Sequence, residues 1–324
     1  MSIALISSLY RSEEHLPAFT AAVFGFARRV SECGIEAHYL PIVNDASRRE
    51  REQIDQLAEE INRQYLGRMT PHYVPRETLY ASWNRAISLS PATCFAPWNS
   101  DDIRSTEAFI EGYAALQDGA ELVDFPFTRV MLSKRFGVLP RQQRIHVPCP
   151  FDNSSFTRRN GLGTFFMARK SLYERLGPFD ANFRVAGDTE WASRGLETVK
   201  YQQGRANGGE FVVHGGNLSN TGSDREDIEV NLIFMRRGDW HHLRPADPGA
   251  LREAWESWGN PGRITLPVEV ADFLWGAEAE ARWRRYQRER KQPATLRRLR
   301  LALASRGLLY SEEWAMAQRG RDSQ

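Results

Sequence analysis

Short apolar runs alternate with segments of helical periodicity along the first half of this chain, and that alternation restricts the fold more than any other feature of the sequence. Ile3 to Ile6 is apolar; Ser12, Glu13 and Glu14 then mark a helix start, and Leu16, Phe19, Val23, Phe26 and Val30 recur at the spacing of one helix face. A second strand is predicted from about Ala37 to Val43. Ser47 and Glu50 have capping-box spacing and open a helix whose inner face is Ile54, Leu57 and Ile61. Pro71 to Val74 reads as a third strand, Leu79, Trp83 and Ile87 as a helix face, and Ala92 to Asp101 as a fourth strand. Phe109, Tyr113 and Leu116 mark another helix before a fifth strand from Leu122 to Phe127. Strands separated by helices predict an α/β fold, a mainly parallel, doubly wound sheet flanked by helices.

A chain of 324 residues has the length for one large α/β domain with an appendage. Hydrophobic residues at 41% and charged residues at 26% exclude a fibrous or disordered class. No apolar run reaches the roughly 18 residues of a membrane-spanning helix, and the first residues lack the basic region of a signal peptide, so the cytoplasm is the expected compartment. Cys33, Cys94 and Cys149 lie too far apart for a zinc motif or a disulfide framework and are expected as reduced, buried thiols.

Periodicity loosens from Thr128 to Asn160, a stretch rich in Arg, Pro and Gly. Order returns at Thr164 to Ala168, with helices near Lys170 to Leu176 and from Asp188, and a strand from Phe211 to Val213 that ends at His214. Ser223 and Glu226 form a second capping-box pattern opening a helix to about Arg237, and everything beyond Pro245 reads as helical. The expected organisation is a catalytic domain over 1–244, divided into halves 1–127 and 128–244, followed by a basic helical C-terminal extension over 245–324. Within that extension Trp283, Tyr286, Leu296 and Leu299 interleave with arginines. The stretch 280–303 suits peripheral contact with an anionic membrane surface. A solvated helical face packed on the domain explains it at least as well. No nucleic-acid partner is expected.

The fourth strand stops at Asn99-Ser100-Asp101-Asp102. Paired carboxylates at the carboxyl edge of a strand stand where open α/β sheets bind ligands, and their oxygens suit a hard cation such as Mg²⁺ or Mn²⁺. Carboxylates also favour the first turn of a helix, although Ser105, Thr106 and Glu107 can start the next helix without them. Around this pair stand, in chain order, Ser7 to Leu16 after strand one, Val43-Asn44-Asp45-Ala46-Ser47 after strand two, and Ser82-Trp83-Asn84-Arg85-Ala86. Gly177-Pro178-Phe179-Asp180 and Gly187-Asp188-Thr189-Glu190-Trp191 follow.

This order and spacing, over about residues 3 to 235, resembles the family 2 glycosyltransferases of the GT-A fold, a Rossmann-like architecture. The resemblance implies a nucleotide-diphosphate sugar donor, a glycan or lipid-linked acceptor such as polysaccharide biosynthesis uses, Mn²⁺ or Mg²⁺ as cofactor, and transfer with inversion. It places Tyr10 against the nucleotide base, Asp45 on the base's imino N–H, Asn84 at the nucleotide, Asp101 at the ribose or helping the metal, Asp102 on the metal, His214 as a further metal or diphosphate contact, and Asp188 as general base; the Trp83-Asn84 pair also reads as packing a helix against the sheet. Two positions depart from the commonest family pattern: Asn99 and Gly187 stand where acids are usual. Glu190 competes with Asp188 for the base role, and on a helix the two point about 200° apart, so one faces the cleft. Arg129, Lys134, Arg135, Arg141, Arg144, Arg158 and Arg159 suggest an anionic acceptor or donor phosphate.

Two rival readings remain. A sugar-nucleotide nucleotidyltransferase has a similar sheet and metal, but its Gly-rich phosphate loop is missing, since Ser7 to Ser12 contains no glycine. A non-catalytic nucleotide- or glycan-binding module tolerates loss of Asp188, which this chain keeps.

Overall fold

The computed structural model describes residues 1–135, 139–149, 161–195, 197–213 and 224–290. The chain divides into two compact units, 1–221 and 222–324. In chain order the first unit runs β1 (Ile3–Tyr10), α1 (Leu16–Glu32), β2 (Ala37–Asn44), α2 (Arg48–Gln64), β3 (Gly67–Met69), β4 (His72–Val74), α3 (Leu79–Leu89), β5 (Cys94–Pro97), β6 (Ile103–Arg104) and α4 (Thr106–Gln117). It continues with β7 (Leu122–Asp124), β8 (Phe127–Arg135), β9 (Leu139–Val147), β10 (Met167–Arg169), α5 (Lys170–Leu176), α6 (Gly187–Ser193), β11 (Tyr201–Gln203) and β12 (Gly209–Val213).

The main sheet has the order β11-β7-β10-β5-β1-β2-β3, with β4 also paired to β2. Its centre is parallel, because β1 pairs in parallel with β2 on one side and β5 on the other. β10 enters antiparallel between β5 and β7. Central strands covered on both faces should be apolar throughout, and Ile3, Ala4, Ile6, Ile42 and Val43 are fully buried. Trp98 packs beneath α1 and α4, with its ring 4.9 Å from Phe26, which in turn lies 4.8 Å from Phe109. Aromatic pairs in that range add about 0.5–1.5 kcal/mol each beyond their buried area.

Most of the expected elements are present. Ser47 caps α2 by accepting from the Glu50 amide at 3.0 Å, worth about 1 kcal/mol. The reciprocal half of that capping box is replaced: the buried Glu50 carboxylate accepts instead from the Ser12 amide and hydroxyl, so α2 anchors the turn that follows β1. α1 accordingly starts at Leu16, later than the Ser12 signal, because the Ser12 carbonyl closes a turn with His15 and Leu16 first. Between 128 and 160, where the sequence shows no clear period, β8 and β9 form a long antiparallel ribbon in a second sheet of order β6-β12-β8-β9. On β9, Gln142, Gln143, Arg144 and Ile145 are exposed. Of the cysteines expected to be buried, Cys94 is, Cys149 is half-buried and Cys33 is exposed; all three are free thiols.

The second unit holds α7 (Arg225–Arg237), α8 (Pro248–Ala254), a π-helical turn (Trp255–Gly259), α9 (Val268–Trp275) and α10 (Ala279–Arg290). α7 lies in this second compact unit, which begins at residue 222. Asn231 ties α7 to the following segment by exchanging two hydrogen bonds with the Arg244 backbone. Gly259 closes against the α7 side chain Leu232, leaving no room for a Cβ. Ser223 of the second capping box lies outside the described residues, as does the basic stretch after Arg290. Among the described residues no helix is long and apolar enough to cross a membrane.

Candidate active site

Parallel strands end at one edge, and here the carboxyl ends of β1, β2 and β5 deliver Tyr10, Asp45 and the Asn99–Asp102 turn to it. Tyr10 lies opposite Asn44 in the β1–β2 register. The strand order turns back at β1, with β2 on one flank and β5 on the other, which is the crevice where open α/β sheets take ligands.

Two residues leave their strands in the left-handed region, Arg11 at φ 49° and Asp45 at φ 47°. Such backbone costs on the order of 1 kcal/mol for a non-glycine residue and persists where surrounding bonds fix it. Asp45 is held by its amide donating to Val74 and by its carboxylate accepting from the Arg76 amide at 3.0 Å. The Arg76 guanidinium lies 4.0 Å from the Tyr10 ring centre and donates to the Tyr10 hydroxyl at 3.0 Å. Beneath them, buried Asn44 joins three elements: its amide donates to Ser82 on α3 and to the Leu9 carbonyl, and its oxygen accepts from the Glu77 amide at 2.8 Å. Tyr10, Asp45 and Arg76 therefore form a corner in which the guanidinium lies over the Tyr10 ring beside the exposed Asp45.

Asp102 is buried, whereas its neighbour Asp101 is half-buried. The Asp102 carboxylate accepts from Asn99 Nδ2 at 3.2 Å and from the Val212 amide at 3.3 Å. Burial pushes its proton affinity well up, and the charge of Asp101 pushes it further. Asn99, where an acid is usual, thus serves as a donor to the buried carboxylate. Behind the pair, the buried Arg104 guanidinium donates to the carbonyls of Pro97, Phe165 and Phe166. Burial lowers its pKa to about 9 against the opposing charges of Asp102 and Asp124. Two adjacent carboxylates, one desolvated and disfavoured as an anion, fit a hard divalent cation, which relieves their repulsion and takes only oxygen ligands. Among the described residues no group of three or more His, Cys, Asp or Glu gathers as a metal cluster.

Asp188 stands in the first turn of α6, and its Oδ1 accepts from the Thr189 amide at 2.7 Å and the Tyr80 hydroxyl at 3.3 Å. Burial raises its pKa to about 7, with a smaller upward push from Asp124. Glu190 is buried and paired to Arg194, which also holds the carbonyls of Leu176 and Pro178. Of the two acids on α6, Glu190 is committed to structure. Aromatic packing fixes α6 in place: Trp191 lies 5.0 Å from Phe179, and Phe179 lies 5.5 Å from Trp83 on α3.

Asn84 bonds to protein at both ends of its amide: Oδ1 accepts from Tyr173 and from the Phe179 amide, and Nδ2 donates to the Phe179 carbonyl at 2.8 Å. Expected at the nucleotide, it ties α3 to the loop that leads to α6. His214 lies outside the described residues. Asp101, Asp102, Arg104, Asp124 and Asp188 form one electrostatically linked series, since Arg104 senses Asp102 and Asp124 and Asp188 senses Asp124. A separate cavity of about 630 Å³ in the second unit is lined by Asp224, Trp283, Arg284, Gln287 and Arg288, and none of these acids borders it.

No protein-family model matches the chain, and no curated protein does. Solved structures do. The mannosyltransferase PcManGT from Pyrobaculum calidifontis, in complex with GDP-Man and Mn²⁺, superposes with a TM-score of 0.54 at 12% identity, over 98% of this chain and 84% of that one. S. aureus TarS residues 1–349 in complex with UDP-GlcNAc gives 0.53 at 10% identity, over 100% and 93%. A longer TarS chain gives 0.54 at 10% identity over 90% of this chain, which spans only 56% of its length. The fold is that of GT-A-type glycosyltransferases.

Proposed function

We propose that this protein moves a sugar from a nucleotide-diphosphate sugar to a hydroxyl of a glycan or lipid-linked acceptor, with inversion at the anomeric carbon. The observation that carries this reading is the convergence at one sheet edge of three parts. These are a corner suited to a keto base, a buried acid pair, and a carboxyl group whose pKa lies near 7. Similarity to structures crystallised with GDP-Man and Mn²⁺ or with UDP-GlcNAc supports it.

Tyr10 offers a face for the base, Asp45 accepts an imino N–H, and Arg76 presents donors to a neighbouring carbonyl. That combination selects keto bases such as uracil or guanine over cytosine or adenine. Asp102 would hold the cation, with His214 as a further contact, and Asp101 would touch the ribose or help the metal. A divalent cation bound there supplies Lewis-acid stabilisation of the charge left on the diphosphate, worth several kcal/mol. The acceptor oxygen forms its bond to the anomeric carbon as the bond to the diphosphate oxygen breaks, and the acceptor proton passes to Asp188. A base with a pKa near the working pH is well matched to that transfer.

A thermal-shift panel of UDP-, GDP-, dTDP- and CMP-sugars with Mn²⁺ tests the reading, because a ligand that binds only the folded state raises its stability. A rise with UDP- or GDP-sugars and none with CMP-sugars is expected. No rise with any nucleotide sugar contradicts it.

A further inference from the structure

Gly187 occupies the position where family 2 enzymes usually carry an acid beside the base, and the structure shows what stands in its place. A Cβ at residue 187 would lie 2.5 Å from Cε2 and 2.7 Å from Cδ2 of Tyr80. The ring of Tyr80, only 1% exposed, fills the volume an acidic side chain would need. The ring is itself held: it stacks on Phe179 with centres 5.9 Å apart and meets Trp83 edge-on at 5.3 Å. The hydroxyl of this ring donates to Asp188 Oδ1, 3.3 Å away. Buried hydroxyls occur where a partner justifies them.

Resting on Asp188 as the base, we propose that Tyr80 is its positioning residue. The phenol donates to the carboxylate and fixes its orientation, replacing the acidic neighbour that Gly187 excludes. Groups on α3, at the end of β7 and on α6 itself face Asp188. Tyr80 reaches it from α3, Asp124 opposes it from the end of β7, and its own helix supplies the Thr189 amide. Glu190 is neutralised by Arg194. A donor directed at the charged form lowers proton affinity, so Tyr80 and the Thr189 amide work against burial and against Asp124. Without the phenol the base would stay protonated to higher pH.

The test is Tyr80→Phe, which keeps the ring and removes only the hydroxyl. Two readouts are taken with tyrosine and with phenylalanine at this position. The first is the stability change that Asp188→Asn causes across pH, which levels off at the pKa of Asp188, about 7 when Tyr80 is present. The second is the pH profile of nucleoside diphosphate release from a nucleotide sugar with Mn²⁺. Loss of one hydrogen bond to a charged acceptor should raise the proton affinity of Asp188 roughly three- to tenfold, moving both readouts upward by about half a unit to one unit. A levelling point that does not move overturns the inference and leaves Tyr80 as packing. A levelling point that moves while the acid limb of the rate profile stays fixed counts against Asp188 as base, and removes the catalytic role of Tyr80 while leaving the contact.

Discussion

Asp188→Asn is expected to make the protein more stable above neutral pH while abolishing transfer. The carboxyl ordinarily ionises at 3.8, and burial beside Tyr80 and Thr189 raises this to about 7 in the folded protein. Above pH 7 the group is ionised whether folded or unfolded, and the folded state bears the full cost of desolvating the charge. Between those two values the folded protein binds a proton that the unfolded chain does not, so stability rises as pH falls. Below 3.8 both states are protonated and the cost vanishes. The shift from 3.8 to about 7 corresponds to about 4 kcal/mol at 1.36 kcal/mol per unit. Asparagine has the same shape and no charge. Urea unfolding of both forms from pH 4 to pH 9, followed by tryptophan fluorescence, should give a difference near zero at pH 4 that grows to about 4 kcal/mol at pH 8 and flattens above about 7. Other titrating groups cancel in the comparison. A difference that is constant across this range, or that favours Asp188 at high pH, refutes the reasoning.

Arg104→Met should destabilise the protein by about 3–5 kcal/mol in urea unfolding, since it strands the Pro97, Phe165 and Phe166 carbonyls and leaves Asp102 and Asp124 without their buried cation. A cost below about 1 kcal/mol would show that the guanidinium is not the keystone of these loops. Gly187→Ala forces a Cβ against the Tyr80 ring and should cost about 1–3 kcal/mol, a penalty largely relieved when Tyr80→Leu is made as well; additive costs would mean that the two do not share the space.

The strand ends were legible in the sequence because a parallel, fully covered strand must be apolar, so the change from Phe95-Ala96-Pro97-Trp98 to Asp101-Asp102 marks an exit from the core. Helix faces were legible for the same reason. Asn44, Arg76, Arg104 and Tyr80 were not, since each is a single polar residue whose partners come from distant parts of the chain: Tyr80 meets Asp188 across 108 positions. Arg76 offers a faint local signal, an exposed cation two residues beyond β4 at the edge where β2 delivers Asp45. The β8–β9 ribbon escaped notice because exposure of Gln143 and Ile145 alike erases the inside–outside alternation by which strands are recognised. Glu50 shows how a correct local motif conceals a tertiary role: the Ser47 cap forms, but the carboxylate turns away to hold Ser12.

The most direct test of the proposed nucleotide-sugar site is calorimetric titration of wild type, Asp102→Ala and Asp188→Asn with a UDP- or GDP-sugar, with and without Mn²⁺. The account predicts metal-dependent binding in wild type, loss of that dependence in Asp102→Ala, and undiminished metal-dependent binding in Asp188→Asn, which keeps the donor site and lacks only the base. Metal-dependent binding that survives intact in Asp102→Ala contradicts the assignment of the acid pair.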